Sequence, residues 1–73
     1  MKLNENTINT LSALARYFNE QKNTDTRRSI EDDLNSFIWG VEIATDNTIT
    51  PIWKNGNITR ILCNNEIVCS FDR

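Results

Sequence analysis

Histidine is absent from the 73 residues. That removes the commonest general base and the commonest transition-metal ligand together. Cysteine occurs only twice, short of the four ligands of a structural zinc site, and two isolated thiols suit a reducing compartment. No apolar run follows Lys2 in Met1-Lys2-Leu3-Asn4-Glu5, so no secretory signal is expected, and no segment approaches the ~20 apolar residues of a membrane span. These absences point to a cytoplasmic protein with no membrane partner. Charge of one sign is scarce too: eight basic and ten acidic residues give a net charge of -2. Such a chain has no overall field to draw in phosphate backbones, and too little negative charge to imitate them. At this length it is one domain, 1–73, near the lower size at which a core holds a fold without staples. No deep private cleft is expected at this size, and the expectation is no enzyme and no cofactor.

What the chain does have is a strand-rich second half. Residues 39–45, 49–53, 58–63 and 67–71 are β-branched and aromatic runs. Asp46-Asn47, Asn55-Gly56 and Asn64-Asn65 separate them with residues that tolerate positive φ. In the first half, Ile8, Leu11, Leu14, Ala15 and Phe18 form one helical stripe within 4–22, capped by Asn6 or Thr7. A second helix starts from Thr24, Thr26 or the Ser29-Ile30-Glu31-Asp32 capping box, buries Ile30, Leu34, Phe37 and Ile38, and ends at Gly40. The fold class is α+β: two N-terminal helices packed on one face of a three- or four-stranded antiparallel β-meander, the three-stranded version arising if 39–45 is loosely attached.

Two-residue turns set a register. Asn64-Asn65 places Cys63 opposite Glu66, Leu62 opposite Ile67, Arg60 opposite Cys69 and Ile58 opposite Phe71, while Asn55-Gly56 places Trp53 opposite Ile58. A three-residue loop, Asp46-Asn47-Thr48 with Asn47 at positive φ, turns Trp39, Val41 and Ile43 inward. The expected core face therefore holds Ile49, Pro51, Trp53, Ile58, Leu62, Ile67, Cys69 and Phe71 as well. Cys63 and Cys69 fall on opposite faces and form no bridge. Arg60 is the misfit on the inward side: its stem packs while its head escapes at the sheet's margin, or it pairs with a helix carboxylate such as Asp33 or Glu20, or it lines an opening and meets a partner's acidic group.

No nucleophile–base arrangement is visible, and the Asp25, Glu31, Asp32 and Asp33 cluster is accounted for by a helix start without invoking a metal. The outward residues Ile52, Ile61 and Val68 form an apolar stripe. With Arg60 they are the candidate contact residues of a non-catalytic module that binds a larger protein. The last strand, from Ile67 to Phe71, guarded only by Glu66 and Asp72, offers edge pairing, either with a second copy as a homodimer or by strand addition to a partner. The alternative is a small nucleic-acid-associated regulator using Arg16, Arg27 and Arg28, which the acidic second helix opposes. The plan, the small size and the asparagine- and isoleucine-rich composition resemble, in style, small viral and mobile-element proteins that block a larger host protein. That resemblance implies an inhibitor of a defence or toxin enzyme, acting in the host cytoplasm.

Overall fold

The computed structural model of the chain describes residues 3–71. Helix α1 (Glu5–Glu20) begins at Asn4, whose side-chain oxygen accepts the Thr7 N–H at 2.8 Å and so satisfies a donor that the helix leaves open. The cap lies upstream of Asn6 and Thr7, and the apolar stripe is as expected. Leu11, Ala15 and Phe18 are buried, with Ile8 and Leu14 packed against them. Helix α2 (Thr24–Thr45) is capped in the same way by Asn23, which accepts the Thr26 N–H at 3.0 Å. Its buried side holds Ile30, Leu34 and Ile38. Leu11 and Leu34 are fully excluded from water, and each contributes roughly 2 kcal/mol by that burial.

The first correction concerns 39–45, which belongs to α2 and not to the meander. The inward positions Ile30, Leu34, Ile38 and Val41 keep the helical period running past Gly40. The alternation of Trp39, Val41 and Ile43 is only three positions long and fits either period, so burial of Ile38 and Val41 decides between them. The helix closes where Asp46, at φ 56 and ψ 31, sends its N–H to the Glu42 carbonyl at 2.9 Å. The left-handed residue is Asp46, one position before Asn47, because the loop ends a helix and not a strand. Trp39 and Ile43 consequently stand outside the core, at 66% and 63% exposure.

Three strands remain, β1 (Ile49–Lys54), β2 (Asn57–Cys63) and β3 (Glu66–Ser70), antiparallel in the order β1-β2-β3. Both turns have two residues at positive φ, Asn55-Gly56 and Asn64-Asn65, whose backbone twist matches that of the strands they join. Next to the turns the expected pairs form: Trp53 with Ile58, Cys63 with Glu66, Leu62 with Ile67. Farther along, each hairpin admits one extra residue, because Ile52 pairs with Arg60 and leaves Thr59 over, and Ile61 pairs with Cys69 and leaves Val68 over. A bulge sends every following side chain to the other face.

The expected faces of β2 are therefore exchanged beyond Thr59. Ile61 is buried completely and Cys63 nearly so, while Arg60 is exposed and sits opposite Ile52 and Ser70 instead of Cys69. Phe71 does not pair with Ile58; its N–H reaches the Thr59 carbonyl at 2.8 Å. Both cysteines are buried and free on the helix side of the sheet, which corrects their assignment to opposite faces. Burial pushes the Cys69 thiol above its ordinary 9.0 and keeps it neutral.

Arg27 joins the layers. Its guanidinium carbon lies 4.1 Å from the centre of the Phe18 ring. It donates to the Phe18 and Gln21 carbonyls at 3.0 and 2.9 Å, and to the Gly56 carbonyl and Asn57 Oδ1 at 2.6 and 3.1 Å. The end of α1, the start of α2 and the β1–β2 turn thus meet on one side chain. Trp53 stands edge-on to the same Phe18 ring, centroids 5.4 Å apart. Arg27→Ala is expected to cost about 2–3 kcal/mol in urea unfolding, because three backbone carbonyls lose a charged donor. Arg27→Lys should recover less than half of that, since one ammonium cannot span the fork. Gly40 is the opposite case: a Cβ built there meets nothing within 4 Å. Gly40→Ala should raise stability by about 0.5–1 kcal/mol in the same assay.

Candidate functional site

The face of the sheet turned away from the helices is built by the two bulges. Cross-strand partners share a face, and the pairs Thr50 with Leu62, Ile52 with Arg60, Arg60 with Ser70 and Leu62 with Ile67 belong to it. Thr50, Lys54, Arg60, Ile67 and Ser70 are exposed, and Ile52 and Leu62 are half-buried by their neighbours. Ile67, at the β3 edge, is 58% exposed. The result is three aliphatic side chains around Arg60, with Lys54 at one end. Thr59 stabilises the bulge that aims Arg60 outward by donating its hydroxyl to the Ile52 carbonyl at 3.3 Å.

A groove of about 630 Å³ adjoins this face, between Arg16 and Glu20 of α1 and Lys54, Asn55 and Thr59 of the β1–β2 hairpin. It shares Lys54 and Ser70 with the open face. Asn19 also lines it and spends its amide on Ile58, donating to the carbonyl at 2.8 Å and accepting the N–H at 2.9 Å. That side chain supplies the donor and acceptor which a longer β3 would have given β2, so α1 is stitched to the sheet where β3 ends. A second groove of about 580 Å³, lined by Leu3, Ile8, Ile67 and Val68 among others, follows the β3 edge.

The residues singled out from the sequence divide between surface and core. Ile52 and Arg60 lie on the open face, whereas Ile61 is fully buried and Val68 packs against the core, so neither can line an exposed stripe. Leu62, Ile67 and Lys54 take their places. The available signal for the exchange was Arg60 itself, since an arginine on the inward side of a central strand marks a misplaced register. The three arginines of the alternative reading have different surroundings. Arg27 is held by four hydrogen bonds, Arg16 lines the groove, and Arg28 is exposed on α2. The edge strand is present as β3, Glu66–Ser70, with Phe71 beyond its end; Asp72 lies outside the described residues. Among those residues, no cluster of three histidine, cysteine or carboxylate side chains could hold a metal ion, and no helix is long and apolar enough to cross a membrane.

The bulged register makes a direct prediction. Ile61→Thr should cost about 2–4 kcal/mol, by cavity and a buried hydroxyl, and Leu62→Thr no more than about 1 kcal/mol. Urea unfolding of the two variants would show the reverse order if the strands paired without bulges. No family model, curated protein or solved structure matches the chain.

Proposed function

We propose that the chain is a non-catalytic binding module whose open sheet face seats against a larger protein and blocks the surface it covers. The observation that carries this reading is a β-sheet with helices on one side only, its other side bearing Ile52, Leu62 and Ile67 around Arg60. Aliphatic side chains grouped on an uncovered face favour contact with another apolar surface. A standard interface takes about 800 Å² from each partner, so Thr50, Lys54 and Ser70 serve as its polar rim. Blocking by occupancy asks for no acid, base or nucleophile, and a defence or toxin enzyme is the kind of target it suits. Two buried, unbridged thiols accord with action in a reducing cytoplasm.

The test is affinity capture from cells of the chain's natural setting with three tagged forms: wild type, Leu62→Thr/Ile67→Thr, and an Asn9→Asp control on exposed α1 surface. A protein retained by wild type and control should fall at least tenfold with the double variant, equivalent to about 1.4 kcal/mol. Circular dichroism must show the double variant folded. Undiminished capture by it overturns the reading.

A further inference from the structure

We propose that the Asn55-Gly56 turn is a self-modification site, where the Asn55 side chain loses its amide, the backbone is rerouted as isoaspartate, and the altered turn lets go of Arg27. Water is the only co-reactant, and the inference is independent of what the open sheet face binds.

Asparagine loses its amide when the backbone nitrogen of the next residue attacks the side-chain carbon. That nitrogen gives its proton to solvent base, the new N–Cγ bond closes a succinimide ring, and the side-chain nitrogen departs as ammonia. Water then opens the ring. Opening at the main-chain carbonyl leaves the chain running through the former side chain as isoaspartate, and opening at Cγ leaves aspartate. The first step is favoured where the side-chain amide is not engaged, where the attacking nitrogen lies outside a regular hydrogen-bonded element, and where the next residue has no Cβ to crowd the ring.

Asn55 meets all three conditions, and the other asparagines each fail at least one. Asn4 and Asn23 are helix caps whose oxygens accept the Thr7 and Thr26 N–H groups. Asn19 holds both backbone groups of Ile58, Asn64 holds Asn47 and Thr48, and Asn57 accepts from Arg27. Asn6, Asn9 and Asn35 lie within α1 and α2, where the following N–H is committed to the helix or its cap. Asn65 is exposed at φ 73, but Glu66 follows it and pairs with Cys63 in the β2–β3 ladder. At the other turn the ladder ends at Lys54 with Asn57, which leaves Asn55 and Gly56 outside it, both exposed. Asn55 also lines the groove of about 630 Å³, so solvent reaches it from that side too.

The same turn carries the joint between the layers. One guanidinium nitrogen of Arg27 donates to the Gly56 carbonyl at 2.6 Å and to Asn57 Oδ1 at 3.1 Å. Isoaspartate adds a methylene to the backbone just before Gly56, in a two-residue turn whose length is matched to the strands it joins. The two acceptors then no longer fall together on one nitrogen. Arg27 in turn resists the reaction, because attack requires the Asn55-Gly56 peptide to rotate and the bond to the Gly56 carbonyl opposes that rotation. Conversion and release are therefore coupled, each favouring the other.

The experiment holds the full chain at mildly alkaline pH and samples it over days by peptide mapping, with fragmentation that tells isoaspartate from aspartate. Asn55 is expected to convert ahead of every other asparagine, and Asn55→Gly, which accepts the positive φ of the turn, to gain no early acidic variant. The isoaspartate fraction, separated by anion exchange, is expected to unfold at a lower urea midpoint than the fresh chain. Fresh Asn55→Asp, which carries the new charge without the extra methylene, should stay close to wild type. In Arg27→Ala, or in Arg27→Lys should the alanine variant be unfolded, Asn55 should convert several-fold faster and the midpoint should fall further by much less, because the contact is already lost or weakened. Earlier conversion at another asparagine, or conversion of Asn55 no faster than of Asn65, overturns the site. An unchanged midpoint in the isoaspartate fraction, an equal loss in Asn55→Asp, or an equal further loss in the Arg27 variant overturns the release of Arg27.

Discussion

The guanidinium of Arg27 is the joint on which this domain closes. A 73-residue chain has little apolar surface to spare, and α2 gains its hold on the sheet partly through directed polar contacts. Arg27 reaches the Gly56 carbonyl from the start of α2, and Glu42 accepts the Ile49 N–H near its end. Between them α1 supplies the packed layer and the Asn19 amide that completes β2. At the other end of the sheet Asn64 exchanges hydrogen bonds with Thr48, Oδ1 accepting at 2.8 Å and the backbone N–H donating at 2.9 Å. The sheet is therefore fastened from the helix side and at its ends. None of these contacts uses the outer face.

The helices, both asparagine-rich turns and the α+β plan were legible because each rests on short-range rules. Ile8 through Phe18 repeats at helical spacing, and Asn55-Gly56 and Asn64-Asn65 accept the positive φ their turns require. The errors arose where two periods fit the same residues or where one inserted residue had no signature. Trp39 to Thr45 alternates like a strand but is drawn into α2 by Ile38 and Val41 behind it. Thr59 and Val68 look like ordinary strand residues, and only three-dimensional packing shows that each is supernumerary. Arg27 likewise read as a surface cation, since no local pattern announces that its reach spans from α2 to Gly56.

The candidate site inherits those errors in an instructive way. The existence of an outer face with an aliphatic row was readable from alternation, but its membership depended on counting through two bulges. Ile52 kept its place because the extra residues, Thr59 and Val68, lie in β2 and β3 and leave the alternation of β1 unbroken, while Ile61 and Val68 moved inward. Arg60 moved the other way. The exchange resolves the burial of an arginine and places Arg60 on the face that already carries Lys54.

The order β1-β2-β3 means that every strand pairs with its neighbour in sequence across a two-residue turn. Low contact order of this kind shortens the search for native pairings, because each hairpin closes its loop at little entropic cost. The helical pair and the meander are each assembled from local contacts. The links between them are the distant ones, such as Asn19 to Ile58, separated by 39 positions, and Arg27 to Gly56, separated by 29. Cooperativity in this chain depends on those few distant contacts, because they alone make the helical pair and the meander one folding unit.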